Sequence, residues 1–253
     1  MVGPSRKSAS PCPGPGTQSL PSDMTPSGLV LATANPHKIT ELRSIFAPLG
    51  LAVIGLADLP QPPGGFAEPQ EPGSTCEENA CIKAIAYCRQ TGRPCLADDS
   101  GLEIDALGGR PGVISSHFST GGRETGLTRA ERDAANNHLV LELLASTPPE
   151  QRGARFVCVI ALAVPDAPAG EPRILHVARG TFEGRIGTPP RVPAGSRGFG
   201  YDPLFLVGPL HESTGAELAS SEKNRLSHRA QASAAMARWL AANPHAIPAP
   251  TGR

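Results

Sequence analysis

The residues able to do chemistry in this sequence fall in a few short polar stretches. Cys95-Leu96-Ala97 is apolar and leads into Asp98-Asp99, followed by Ser100-Gly101. This reads as a short strand ending in two adjacent acids, and strand ends in α/β proteins are common ligand sites. Neighbouring carboxylates repel unless a cation or hydrogen-bond donors offset them, and a hard metal such as Mg²⁺ would do so. The same Asp, Ser and Gly residues also suit a solvated turn. Glu71 stands on a loop ahead of a helix, and Asn79 and Lys83 share a neighbouring face of that helix. Two further stretches could meet an anion. In Thr33-Ala34-Asn35-Pro36-His37-Lys38, Asn35 is a good N-cap and Pro36 suits the first helical position. The free N–H groups of that helix start favour an anion. Lys38 lies in the same turn, where a cation opposes the helix dipole, and placement against local preference often serves a ligand. In Ser221 to Arg229, Ser227 can cap a helix and so put His228 and Arg229 in its first turn. Gly198-Phe199-Gly200-Tyr201-Asp202-Pro203 sets two aromatics between glycines, where a ring could stack on a base or the segment could be a simple turn. Taken singly, each stretch also has a purely structural reading.

These residues need elements to position them. Leu29 to Thr33 reads as a buried strand, followed by a helix carrying Ile39, Leu42, Ile45, Phe46 and Leu49 at helical spacing. Thr75-Cys76-Glu77-Glu78 is a capping box, and the helix it starts runs to a C-capping Gly92. Its apolar stripe is Ala80, Cys81, Ala84, Ile85 and Cys88. Leu102 to Leu107 reads as another strand, closed by Gly108-Gly109. The long helical pattern from Thr128 to Ala145 reads as structural. Arg155 to Val164 and Arg173 to Phe182 form a long hairpin across the turn-rich Pro165 to Pro172, and a strand follows at Leu204 to Val207. This order implies an α/β fold with a mixed sheet and helices packed on it.

Composition sets the bounds. The 253 residues carry 23 Lys plus Arg against 23 Asp plus Glu, so the net charge is zero. That argues against a nucleic-acid binder driven by bulk charge. The longest apolar run, Val157 to Val164, is too short to cross a bilayer, so no membrane partner is expected. Six Cys, at 12, 76, 81, 88, 95 and 158, show neither CxxC pairs nor zinc spacing. They read as reduced thiols of a cytoplasmic protein, packing as small hydrophobes. Residues 1–27 are rich in Pro, Gly and Ser and read as a disordered extension, with Met24 an alternative start. Residues 243–253 read as a flexible tail, which leaves a folded body at 28–242.

Taken together, the stretches TANPHK (33–38), EPGSTCEENACIKA (71–84), ADDSGLEIDALGGRPG (97–112), GFGYDP (198–203) and EKNRLSHR (222–229) resemble the inosine triphosphate pyrophosphatase family in order and spacing. The likeness covers essentially all of Leu29 to Leu240. The GFGYDP and SHR segments set it apart from the related Maf-type pyrophosphatases. The resemblance implies an elongated mixed sheet, two lobes with the active-site cleft between them, and a homodimer. It implies Mg²⁺-dependent hydrolysis of ITP, dITP and XTP to the monophosphate and pyrophosphate. Asp99 would be the catalytic base and, with Glu71, a metal ligand. Thr33, Ala34, Asn35, Pro36, His37, Lys38, Lys83, Ser100, Phe199, Gly200, Tyr201, Asp202, Lys223, His228 and Arg229 would contact substrate. One departure stands out. After Pro111-Gly112, where the family usually places a basic residue, this chain has Ser115-Ser116-His117, a weaker phosphate partner at neutral pH.

Overall fold

The computed structural model describes residues 28–33, 36–49, 52–166, 170–208 and 210–247. The two expected tails therefore lie outside the described residues, apart from residues 243–247, which turn back and lay Ile247 on the core.

Two short parallel pairings begin the sheet. β1 (Leu29–Leu31) lies between β2 (Val53–Gly55) and the start of β3 (Cys95–Ile104), with Leu31 opposite Gly55 on one side and Leu96 on the other. The two-residue β4 (Pro111–Gly112) pairs with the far end of β3. The rest is antiparallel. A long hairpin of β5 (Gly153–Asp166) and β6 (Gly170–Ile186) pairs with β3, and β7 (Phe205–Val207) and β8 (Ser213–Thr214) complete an order of β2-β1-β3-β5-β6-β7-β8. This is the mixed sheet that the sequence leads one to expect, with hairpin strands longer than their apolar runs.

Helices cover both faces. α1 (Pro36–Phe46) packs on one face and α2 (Cys76–Thr91) on the other. α3 (Arg129–Leu143) lies at the far end, and a short α4 (Ser220–Leu226) leads into α5 (His228–Ala242), which joins α1. With helices on both sides, β5 is buried on both faces, and this explains its unbroken apolar sequence. Val157, Val159, Ala161 and Ala163 face α2, whereas Cys158, Ile160 and Leu162 face α1 and α5. A third apolar cluster gathers Leu102, Ile104, Phe182, Phe205 and Val140 at the other end of the long strands. The core thus divides into two lobes threaded by β3, β5 and β6.

Two local expectations are corrected. The strand predicted to stop at Ala97 does not stop there. β3 runs through Asp98, Asp99 and Ser100 to Ile104, paired residue for residue with β5, and Asp105–Leu107 is a turn of 3₁₀ helix. Ten cross-strand pairings outweigh the turn preference of four small polar residues. At the start of α2, Thr75 caps as expected, its hydroxyl accepting from the Glu78 N–H at 3.1 Å. The Glu78 carboxylate, however, takes the N–H of Ser74 at 2.6 Å and the Ser74 hydroxyl at 2.9 Å. The full capping box is found instead at α3, between Thr128 and Glu131.

Candidate active site

Because β1 ends at Leu31 and β4 begins to pair only at Leu102, the edge of β3 from Asp98 to Gly101 has no strand neighbour on that side among the described residues. The opening lies beyond the carboxyl end of a parallel strand, where α/β sheets bind ligands. Successive side chains of a strand point to opposite faces. Asp98 and Asp99 are therefore not a joint carboxylate pair. Asp99 points towards α2 and Asp98 towards α5, and each meets its own cation. The offset that two adjacent acids require is thus supplied by two side-chain cations, one on each face.

On the α2 face, Lys83 Nζ lies 3.0 Å from Asp99 Oδ1 and 2.8 Å from Glu71 Oε2. The loop bearing Glu71 is held by the buried Asn79, whose Oδ1 accepts the N–H of Gly73 at 2.8 Å. Asn79 and Lys83, one turn apart on α2, thus divide the work of holding the loop and joining its acid to the strand. Burial pushes the Asp99 carboxyl above its ordinary range, and the ammonium of Lys83 offsets part of that rise. Burial pulls Lys83 down, but Asp99 and Glu71 more than compensate and keep it charged. Asp99 Oδ2 is buried and meets no N–H or O–H donor. Beside it lies Cys76, whose thiol is pushed up to about 12 by burial and by Asp99, so it stays neutral. A groove lined by Thr75, Cys76, Glu77, Glu103, Val113 and Arg179 opens alongside.

The unengaged oxygen of Asp99 and the half-exposed carboxylate of Glu71 are hard donors of the kind Mg²⁺ prefers, and they fit the expected metal. Among the described residues no cluster of three or more His, Cys, Asp or Glu is gathered as a ready-made cage. A cation held here would complete its shell with water and substrate oxygens.

On the opposite face, Arg229 Nε pairs with Asp98 Oδ2 at 3.4 Å, across 131 residues of chain. Ser227 caps α5 as expected, accepting the Ala230 N–H at 3.1 Å, and this fixes where His228 and Arg229 stand. The helix start presses onto β6 at Gly180. A Cβ there would lie 2.3 Å from the His228 carbonyl oxygen and 2.4 Å from the Ala232 nitrogen. The imidazole of His228 stacks on Phe156 of β5, with ring centroids 5.3 Å apart. Ser100, half-buried, is the next strand residue on the face of Asp98.

The Gly198–Asp202 segment forms a tight loop. Gly198 and Gly200 both take positive φ, 77° and 63°, which a side chain would strain. The buried Asp202 accepts the Phe199 N–H at 2.8 Å with the same oxygen that pairs with Lys223 of α4. Tyr201 is buried and donates its hydroxyl to the Ser115 carbonyl at 2.7 Å. Its role is to anchor the loop, and no face of it is open to a base. Phe199, by contrast, is 57% exposed. The Arg129 guanidinium stands 4.4 Å from its ring centroid and Lys223 Nζ 5.3 Å.

Arg129 exposes a role that reading along the sequence misses. α3, read as structural, also supplies Asp133, which accepts the Gly200 N–H at 2.8 Å, and Asn137, which donates to the Gly200 carbonyl at 3.0 Å. No local pattern announces contacts that span more than 60 residues. Only the four-residue spacing of Arg129, Asp133 and Asn137, one polar stripe on a helix, hints at them.

The remaining expectations fall as follows. Ala34 and Asn35 lie outside the described residues. α1 does begin at Pro36, which places Pro36, His37 and Lys38 in its first turn, and Thr33 follows directly on β1. His117 is engaged within the protein. Its Nε2 lies 2.9 Å from both Glu124 Oε2 and Arg132 Nη1, and its Nδ1 lies 2.8 Å from Ser116 Oγ. A permanent cation therefore stands beside the histidine that occupies the expected basic position. The five described cysteines are free thiols, four of them buried, as small apolar packing residues would be. No described helix is long and apolar enough to cross a membrane.

Fold and site together define a mixed-sheet α/β protein whose polar groups converge on one open strand edge from both faces. The Ham1 family model matches residues 29–239. A protein of Frankia alni named dITP/XTP pyrophosphatase is 50% identical over 201 residues, covering 79% of this chain and 91% of its own. Among solved structures, the Ham1 protein of Staphylococcus aureus has a TM-score of 0.70 at 35% identity, over 86% of this chain and 100% of its own. A HAM1 protein from Coxiella burnetii has a TM-score of 0.68 at 39% identity, over 85% of this chain and 98% of its own. The chain belongs to the Ham1 family, and the resemblance read from its five motifs holds.

Proposed function

We propose that this chain hydrolyses non-standard purine nucleoside triphosphates, ITP, dITP and XTP, to the monophosphate and pyrophosphate. The observation that carries the reading is Asp99. One of its oxygens is held by Lys83 and the other is unengaged, on a strand edge left open beyond β1. The name of the Frankia alni relative supports the substrate class.

Asp99 acts as the general base. Lys83 favours the charged form of its carboxylate and fixes its plane, so the carboxylate can take a proton from water as that water attacks the α-phosphorus. Pyrophosphate leaves, and positive charge must meet both products. Lys83 supplies it from α2 and Lys223 from α4, and the same task is assigned to Lys38 and the amide groups of the α1 start. Glu71 and Asp99 would hold Mg²⁺, which when bound neutralises phosphate charge and favours the leaving group. The base lies on the α5 side. Inosine and xanthine carry an acceptor at position 6, and the donors of His228 and Arg229 suit it. Adenine offers a donor there and gives those groups no acceptor, a mismatch worth roughly 10⁴-fold when the groups are buried. Phe199 is the stacking platform. We extend the reading to a homodimer in the cytoplasm, as the family likeness implies.

The test is incubation with dITP, XTP, dGTP and dATP, with and without Mg²⁺, resolving the products. Monophosphate and pyrophosphate from dITP and XTP only with Mg²⁺, and spared dATP, are expected. Release of diphosphate and inorganic phosphate would overturn the placement of the water.

A further inference from the structure

The stripe that α3 turns towards the Gly198–Asp202 loop has no part in the chemistry above, yet it touches that loop at successive turns of the helix. Asp133 Oδ2 accepts the N–H of Gly200 at 2.8 Å, and Asn137 Nδ2 donates to the carbonyl of the same residue at 3.0 Å. One glycine thus has both of its backbone polar groups held by side chains from a helix more than 60 residues away. Gly200 is the neighbour of Phe199, and its left-handed backbone, φ 63°, leaves it without a side chain to fix its own orientation. Asn137 Oδ1 is buried without a hydrogen-bond partner, so the amide orientation is set by its donation to Gly200 alone. The adjacent Asn136 is buried and turns to a different loop, where its amide donates to the Ser115 and Ser116 carbonyls and its oxygen accepts the Ser119 N–H. Tyr201 also anchors on Ser115. α3 therefore ties both loops into one unit.

We propose that Asp133 and Asn137 are positioning residues for base recognition. They clamp the Gly200 peptide groups and so complete the hold that Asp202 has on the Phe199 N–H and that Arg129 and Lys223 have on its ring, and the largely exposed Phe199 presents that ring at a fixed angle to the purine. The proposal rests on the reading that Phe199 stacks on the base. A pre-set platform spares the substrate the cost of ordering the loop on binding. Loosening the clamp weakens capture of the nucleotide without touching Asp99, Lys83 or the attacking water.

The test is steady-state kinetics with dITP on Asp133→Ala, Asn137→Ala and Phe199→Ala, together with Asp133→Ala in the Phe199→Ala background. Each single substitution is expected to raise KM by about 5- to 20-fold with kcat within about twofold of the parent, the fold-change following from lost ordering of a few groups. With the ring gone, releasing Gly200 has nothing left to misplace, so the double variant should match Phe199→Ala. Asp133→Asn keeps an oxygen that can accept the Gly200 N–H and should restore most of the affinity. It also guards against misfolding of the alanine variant. If Phe199→Ala leaves KM unchanged, the stacking reading fails and the proposal with it. If Phe199→Ala raises KM but Asp133→Ala and Asn137→Ala do not, stacking stands and the clamp is overturned. A fall in kcat, or KM effects that multiply in the double variant, would equally overturn it by showing a general structural role.

Discussion

The two oxygens of Asp99 live in different circumstances, and catalysis depends on the difference. Oδ1 is 3.0 Å from an ammonium group, whereas Oδ2 is buried and meets no N–H or O–H donor. A buried acceptor without a partner is costly unless something occupies it in the working state. Asp99→Asn retains the shape and removes both the base and the charge. Turnover of dITP should fall by about 10²- to 10⁴-fold, the usual contribution of a positioned general base. The melting temperature should fall only modestly, because the buried Lys83 loses one carboxylate partner but keeps Glu71. A variant that melts normally and still turns over at the parent rate would remove Asp99 from the role of base.

At the scale of elements, the molecule depends on where helices start. Gly180 lets the first turn of α5 sit directly on β6, and the atoms that a methyl group would strike are backbone, which cannot rotate aside. Gly180→Ala should cost about 1–3 kcal/mol by overpacking, read as a lower urea midpoint. It should also lower kcat/KM for dITP, because His228 and Arg229 ride on that turn. The α3 cap gives a pH test. The Glu131 carboxyl is lowered from 4.5 by its bonds to the Thr128 side chain and backbone. A lowered folded-state pKa means that its stabilisation is complete above the unfolded value and is lost as pH falls through the folded one. Between pH 6 and 3 the melting temperature of the native chain should therefore fall more than that of Glu131→Gln, and equal slopes would remove the cap from the acid response. Two helix starts were legible in the sequence because caps are local: Thr75 and Ser227 each act within three residues. The strand through Asp98, Asp99 and Ser100 was not, because it is imposed by pairing with β5, some 60 residues further along the chain. The partners of Gly200 were hidden for the same reason.

The two lobes share their long strands, and this sets how the whole molecule unfolds. β5 and β6 pass through every apolar cluster, so neither lobe can lose its core without exposing the other. Urea unfolding should be a single transition. Fluorescence of Trp239, the only tryptophan, reports on α5, and it should coincide with loss of far-ultraviolet ellipticity from all elements. Separate midpoints would show that the lobes open independently. The opposed facing of Asp98 and Asp99 has a further consequence for how the chain reaches this state. Were β3 to slip by one position against β5, the two acids would trade faces, and one of them would land where the other now stands, still in front of Lys83 or Arg229. Charge alone is an incomplete guard against that error. What forbids it is size: the slip would drive Leu96 and Leu102 to the faces that now take Ala97 and Gly101, where Gly101 already lies against the Gly112 carbonyl with no room for a methyl group. Fidelity of the catalytic strand is thus guarded by the uncharged residues on either side of the acids.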